Sequence, residues 1–152
     1  MSASVRAVRA AAGRFRVEVV VDAPPSEVWR RLVDMDRHSA RIPLTRVLPT
    51  GATMRPGLEF VAVTRLGPLH LDDRMVVVGA QAPTEAGPGW LRVTKHGPFA
   101  GSITARVSAA DVGTVVVWEQ ELRPAWLPAV LRRPAAWFGR LAYGAGLRQL
   151  LR

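Results

Sequence analysis

Residues 60–75, FVAVTRLGPLHLDDRM, decide the fold. They form two segments of alternating polarity, separated by a Gly-Pro pair that is typical of a tight turn. A two-residue turn places Phe60 opposite Met75, and nearly every apolar side chain of both segments then lies on one face. The pattern therefore predicts an antiparallel hairpin with one buried face, on which Asp73 is the only carboxylate.

The same period of two extends over most of the chain. Strands are predicted at 15–21, 44–49, 57–66, 69–78, 89–96, 99–108 and 114–122. The breaks between the later strands are short, so neighbouring strands must be antiparallel. We expect an α+β fold in which a curved antiparallel sheet of about seven strands grips a long C-terminal helix.

Helices are predicted at both ends of this run of strands. Two short helices follow the first strand within residues 22–42, and Asp22 or Ser26 can cap the first of them. Near the C-terminus, residues 126–133 are predicted to form a short helical turn. A longer helix is predicted to begin at Pro134, since proline suits a first helical position, and to run to about Leu151.

Composition limits the chemistry. A length of 152 residues suits one domain, to which we assign residues 14–152, with residues 1–13 as a basic N-terminal arm. The absence of cysteine excludes disulfides and thiol nucleophiles, and the three histidines are not at metal-ligand spacing. We therefore expect no metal and no cofactor. No uninterrupted apolar segment suggests a signal peptide or membrane span, so we expect a cytoplasmic protein.

The excess of positive charge lies at the two ends of the chain. The net charge is +9, and residues 1–16 and 123–152 carry four and six arginines without any acidic residue. Such ends can attract an anionic membrane surface, although a solvated surface is the simpler interpretation. Because no nucleic-acid motif accompanies the charge, we expect no nucleic-acid partner.

Several strings resemble a known superfamily. Val21-Asp-Ala-Pro-Pro-Ser-Glu-Val-Trp29, Leu71–Val77, Thr114–Trp118 and the closing amphipathic helix are similar to the START-like, helix-grip superfamily, in particular its bacterial polyketide cyclase/dehydrase (SRPBCC) branch. The resemblance covers about residues 14–151. It implies a cavity between the sheet and the terminal helix that holds apolar molecules. The superfamily has no single catalytic motif, so no catalytic residue is carried over.

Hairpin geometry predicts which side chains face this cavity. A turn at residues 111–112 directs Trp118 and Gln120 inward and leaves Glu119 and Glu121 outside. On the terminal helix, Trp137 belongs to the broad apolar face predicted to line the cavity.

The 89–96/99–108 hairpin has two possible registers. A two-residue turn directs Trp90, Arg92, Thr94 and His96 inward, whereas a one-residue bulge directs Leu91, Val93 and Lys95 inward. We favour the first register slightly, because the turn is short. In it Arg92 can pair with Asp73, and a buried carboxylate needs such a partner.

The residues predicted to bind a ligand are Phe60, Asp73, Met75, Trp90, Arg92, His96, Trp118, Gln120, Trp137 and Leu141. The predicted function is the binding or carriage of a small apolar or amphipathic molecule. A first alternative is a polyketide cyclase or aromatase in which Asp73, Arg92 or His96 moves protons. A second is contact with membrane lipid through the basic ends. The sequence leaves open the ligand, the oligomeric state and whether any reaction is catalysed.

Overall fold

The computed structural model describes residues 2–11, 13–42, 44–123 and 128–152. The strands are β1 (Ala3–Ala11), β2 (Arg14–Val21), β3 (Thr45–Leu48), β4 (Glu59–Leu66), β5 (Leu69–Gln81), β6 (Gly89–His96), β7 (Gly101–Ala109) and β8 (Thr114–Leu122). The helices are α1 (Pro25–Val33), α2 (Met35–Arg41) and α3 (Ala129–Leu151), with a 3₁₀ turn at Gly97–Phe99 between β6 and β7.

The strands form one antiparallel sheet in the order β1-β2-β8-β7-β6-β5-β4-β3. The predicted α+β fold is confirmed, with eight strands instead of about seven. The additional strand is β1, which lies in the residues interpreted as an arm and pairs with β2. A register shift between Val5 and Ala7 breaks the alternation of β1, and this is why the sequence pattern did not reveal it.

Two of the predicted hairpin registers are confirmed. In β4–β5, Phe60 lies opposite Met75 and Ala62 lies opposite Asp73. In β7–β8, Ala105 lies opposite Trp118, and Ile103 lies opposite Gln120. In both hairpins the register that collects the apolar side chains on one face is the one that the chain adopts.

The favoured register of β6–β7 is wrong. Lys95 pairs with Gly101, and the connection is a 3₁₀ turn over Gly97–Phe99 followed by Ala100 instead of a two-residue turn. Alternate residues of β6 are therefore exchanged between the two faces of the sheet, relative to the prediction. On its other side Gly101 approaches β8 closely, because a Cβ at this position would lie 1.9 Å from the carbonyl oxygen of Glu121.

The helix boundaries also differ from the predictions. The N-cap of α1 is Pro24 and no side chain caps it, so neither Asp22 nor Ser26 has that role; Asp34 caps α2 instead. Pro134 lies inside α3, five residues after its first residue. Because proline has no backbone N–H group, Pro134 cannot donate to the carbonyl oxygen of Val130, four residues earlier. Val130 is 78% exposed, so water can reach this end of the helix. Residues 126–127 of the predicted helical turn lie outside the described residues.

Helix α3 packs against β1 and β2 on one face of the sheet, which we call the inner face. Its buried side carries Leu147, Leu150 and Leu151, and Tyr143 is half-buried beside Phe15 of β2. At its C-terminal end, buried Arg31 of α1 donates to the carbonyl oxygens of Leu151 (2.9 Å) and Arg152 (2.8 Å). These charge-assisted bonds satisfy carbonyls that a helix end leaves free, and they fix this end of α3 against α1.

Candidate functional site

The inner face of the sheet is apolar over most of its area. The residues buried there on β4 to β8 include Phe60, Met75, Val77, Leu91, Val93, Ile103, Ala105, Val107, Val116 and Trp118. Among the polar side chains that interrupt this surface are Asp73 on β5, Lys95 on β6 and Gln120 on β8. Thr114 of β8 is also buried there and donates to the carbonyl oxygen of Ala23 at 2.6 Å. Polar groups in such surroundings need hydrogen-bond partners, so their partners decide what the surface can bind.

Asp73 and Lys95 form an ion pair on this face. Lys95 lies directly opposite Met75, so Asp73 is its diagonal neighbour, and the Lys95 ammonium contacts Oδ2 of Asp73. The side chains of Lys95 and Asp73 are 2% and 14% exposed, respectively. Burial raises the pKa of the Asp73 carboxyl, and the charge and hydrogen bond of Lys95 only partly oppose this effect. Oδ1 of Asp73 is buried and has no hydrogen-bond partner among the described residues.

Gln120 provides a second polar point under α3. Trp118 donates from Nε1 to Oε1 of Gln120 at 3.4 Å. An indole can only donate, so this contact orients the amide and leaves Nε2 as a free donor. Gln120 is 1% exposed, and its Nε2 has no hydrogen-bond partner within the described part of the chain. The ring of Tyr143 lies 6.3 Å from that of Trp118, so α3 covers this point.

The two polar points are separated by apolar surface. Asp73 and Gln120 lie on strands three positions apart, which corresponds to ~14 Å across the sheet. Between them lie Val93 and Ile103, which are 2% and 5% exposed. The face thus offers a buried acceptor at one end, a buried donor at the other and apolar contact between them.

The structure brings together only part of the predicted site. Phe60, Asp73, Met75, Trp118 and Gln120 lie on the inner face as expected.

The other predicted residues lie elsewhere or cannot be placed. Trp90, Arg92 and His96 were expected on the inner face and lie exposed on the outer face instead, because of the β6 register. Leu141 is 48% exposed and lies about 200° round the helix from Tyr143, so its predicted inward direction is also wrong. The side chain of Trp137 lies outside what the structure describes.

Lys95 is the inner-face residue that the favoured interpretation missed. It replaces Arg92 as the partner of Asp73. The signal was present in the sequence, because the rejected register gave β6 the more hydrophobic inner face through Leu91 and Val93.

The described residues contain no group of three or more histidine, cysteine, aspartate or glutamate residues that could hold a metal ion. Among the described helices, none has the length and apolar character needed to cross a membrane.

An antiparallel sheet with a long C-terminal helix packed on its inner face is the arrangement of a START-like, helix-grip protein. The chain belongs to the family described as polyketide cyclase / dehydrase and lipid transport, whose model matches residues 12–152. The resemblance identified in the sequence is thereby confirmed. Comparison with curated proteins finds no significant match.

Solved structures share the fold at low sequence identity. The protein TTHA0849 from Thermus thermophilus is 17% identical with a TM-score of 0.70, covering 91% of this chain and 94% of that one. A protein from Arthrobacter aurescens is 12% identical with a TM-score of 0.69, covering 97% and 90%. Ara h 8.0201 is 14% identical with a TM-score of 0.62, covering 91% and 97%. At such identities the similarity establishes the fold alone.

Proposed function

We propose that the protein binds or carries a small amphipathic molecule between the inner face of the sheet and α3. One observation carries this proposal: Oδ1 of Asp73 and Nε2 of Gln120 are buried in an apolar surface without partners among the described residues. An unpaired buried polar group typically destabilises a protein by about 1–3 kcal/mol. A ligand that pairs with both groups would remove this penalty.

The two atoms specify complementary groups on the ligand. A carboxylate oxygen accepts, so Asp73 suits a hydroxyl group, while Nε2 of Gln120 donates and suits a carbonyl oxygen. The surface between them suits an aromatic or aliphatic body, with Trp118 and Met75 available for contact with rings. The family description names polyketides and lipids, and oxygen-bearing apolar molecules of either kind match this pattern.

A matched pair of probes tests the donor end. 2-Acetylnaphthalene and naphthalene differ by one carbonyl-bearing group, and isothermal titration calorimetry measures the binding of each. We expect the wild-type protein to prefer the ketone by about 2- to 12-fold, which corresponds to one net hydrogen bond of roughly 0.5–1.5 kcal/mol. Gln120→Leu should bind both probes equally, because it keeps the shape of the side chain and loses the amide.

Gln149→Leu is the matched control, because Gln149 is exposed on α3. This variant should keep the wild-type preference for the ketone. Failure of the wild-type protein to bind either probe would contradict the proposal, as would an unchanged preference in Gln120→Leu.

An enzymatic role of the cyclase type is the second candidate. The raised pKa of Asp73 supports it, because a carboxyl with a raised pKa can exchange protons nearer neutral pH. The adjacent Lys95 can stabilise the negative charge that develops on a carbonyl oxygen. Deuterium incorporation at the central carbon of 2-naphthoylacetone, followed by NMR in D₂O, tests this role. Wild-type protein should accelerate it and Asp73→Asn should not; equal rates with and without protein would end this candidate.

A third candidate, contact with membrane lipid, is supported by the beginning of α3. Val130 and Leu131 are 78% and 48% exposed there, close to the exposed Arg133. Apolar side chains beside a cation suit an anionic lipid surface. Co-sedimentation with phosphatidylserine vesicles should occur at low salt and weaken in a Val130→Ser/Leu131→Ser variant. No sedimentation at low salt would remove this candidate.

A further inference from the structure

The outer face of β6 carries residues that the inner-face site does not use. Trp90, Arg92 and His96 are all exposed there. On the neighbouring strand β7, Arg106 lies directly opposite Trp90 and is also exposed. We call Trp90, Arg92 and Arg106 the outer-face patch.

The indole of Trp90 is held against the sheet. Its six-membered ring reaches over Gly79 of β5, where an added Cβ would lie 2.6 Å and 2.8 Å from two ring atoms. Its Nε1 donates to Oε1 of Gln81 at 3.1 Å. Glycine at position 79 therefore makes room for the ring, and Gln81 fixes its polar edge. The residue nevertheless remains 40% exposed, so a fixed aromatic surface faces outward.

The guanidinium groups of the patch are not neutralised. Within the described part of the chain, Arg92 and Arg106 form no ion pair. The nearby carboxylates of β8 are already paired, Glu119 with Arg16 (3.0 Å) and Glu121 with Arg14 (3.3 Å) and Arg123 (2.8 Å). The net charge of the chain is +9, so the surroundings also favour an anion.

We propose that the outer-face patch binds single-stranded nucleic acid, with a base against the exposed indole of Trp90 and phosphates against Arg92 and Arg106. A fixed aromatic ring beside unpaired arginines is the combination that holds an unpaired base and its backbone. A sheet surface suits single strands because their bases are accessible, whereas a duplex hides the faces of its bases.

A lipid surface fits the patch less well than a single strand. The tip of the indole and its Nε1 are both bound to the sheet, so the ring does not project toward a bilayer. The sequence offered no motif for a nucleic-acid partner, and its favoured register turned Trp90 and Arg92 inward. The observed β6–β7 register is what assembles the patch.

Fluorescence anisotropy of a labelled oligothymidylate 15-mer, measured between 50 and 200 mM NaCl, tests the proposal. Trp90→Leu should weaken binding at least about five-fold, as expected for the loss of one stacked base. Arg92→Gln/Arg106→Gln should make the slope of log K against log salt shallower by about 1.4, or roughly 0.7 for each phosphate on a single strand.

The control double variant is Arg55→Gln/Arg148→Gln, which removes two exposed charges away from the patch. If binding reflects net charge alone, both double variants will lose affinity equally, and the proposal is overturned. Absence of binding at 50 mM NaCl overturns it too, as does binding only to phosphatidylserine vesicles. Both patch variants should retain the 2-acetylnaphthalene preference, which separates this proposal from the inner-face function.

Discussion

Replacement of Lys95 by methionine probes the polar end of the inner face. Methionine keeps most of the side-chain volume but leaves the carboxylate of Asp73 buried without its cation. Breaking a buried ion pair from one side typically lowers the free energy of unfolding by about 3–5 kcal/mol. Because the Asp73 side chain retains 14% exposure, we expect the lower end, about 3 kcal/mol at pH 8.

The destabilisation should depend on pH with a defined sign. Burial raises the folded-state pKa of Asp73 above its ordinary value of 3.8, so its contribution to stability is fully present below that value and is lost as the pH rises through the folded pKa. Without Lys95 the pKa rises further. The difference in the free energy of unfolding between wild type and Lys95→Met should therefore be largest at pH 8 and become smaller toward pH 4.

Urea denaturation of the wild type and of each variant at pH 8, 6 and 4.5 measures this difference in the free energy of unfolding. The double variant Asp73→Leu/Lys95→Met should lie within about 1 kcal/mol of wild type, because apolar replacement of a buried pair is often neutral or stabilising. A gap that is independent of pH would refute the reasoning, as would a double variant as unstable as Lys95→Met.

Three further changes test other contacts. Burial lowers the pKa of His38, whose ring donates to the backbone carbonyl of Leu32. The contribution of His38 to the free energy of unfolding is therefore present above pH 6.5 and is lost as the pH falls through the lowered pKa. His38→Asn should flatten the decline in the free energy of unfolding between pH 7.5 and 5, and an unchanged decline would contradict this. Arg31→Met should lower the free energy of unfolding by about 2 kcal/mol and speed hydrogen exchange at the C-terminal end of α3. The control Arg30→Met, at a side chain that is 77% exposed, should change neither quantity. Equal effects of the two variants would contradict the role of the Arg31 hydrogen bonds to α3. Gly101→Ala should lower the free energy of unfolding by about 2 kcal/mol, because the added methyl group would collide with the carbonyl oxygen of Glu121 on β8. Thermal or urea unfolding measures this loss, and a stability equal to that of wild type would contradict the close approach.

The sequence predicted those parts of the fold in which local pattern and packing agree. The β4–β5 and β7–β8 registers followed from collecting apolar residues on one face, and the positions of Asp73, Trp118 and Gln120 followed from them. The length of each turn was compatible with that register.

The wrong predictions have different physical causes. The β6–β7 register was predicted from the short turn instead of from the more hydrophobic inner face, and the chain forms a longer connection that contains the 3₁₀ turn at Gly97–Phe99. A bulge hides the strand character of β1. The inward side of α3 is set by its contacts with β2, where Tyr143 meets Phe15, and the two apolar sides of this helix are equivalent on a helical wheel.

The most direct test of the central claim is to locate a bound probe by NMR. In ¹³C- and ¹⁵N-labelled protein with 2-acetylnaphthalene, we predict intermolecular nuclear Overhauser effects to the side-chain amide of Gln120, the indole of Trp118 and the methyl group of Met75. Effects confined to exposed side chains, or none at a saturating concentration of the probe, would contradict a ligand site beneath α3.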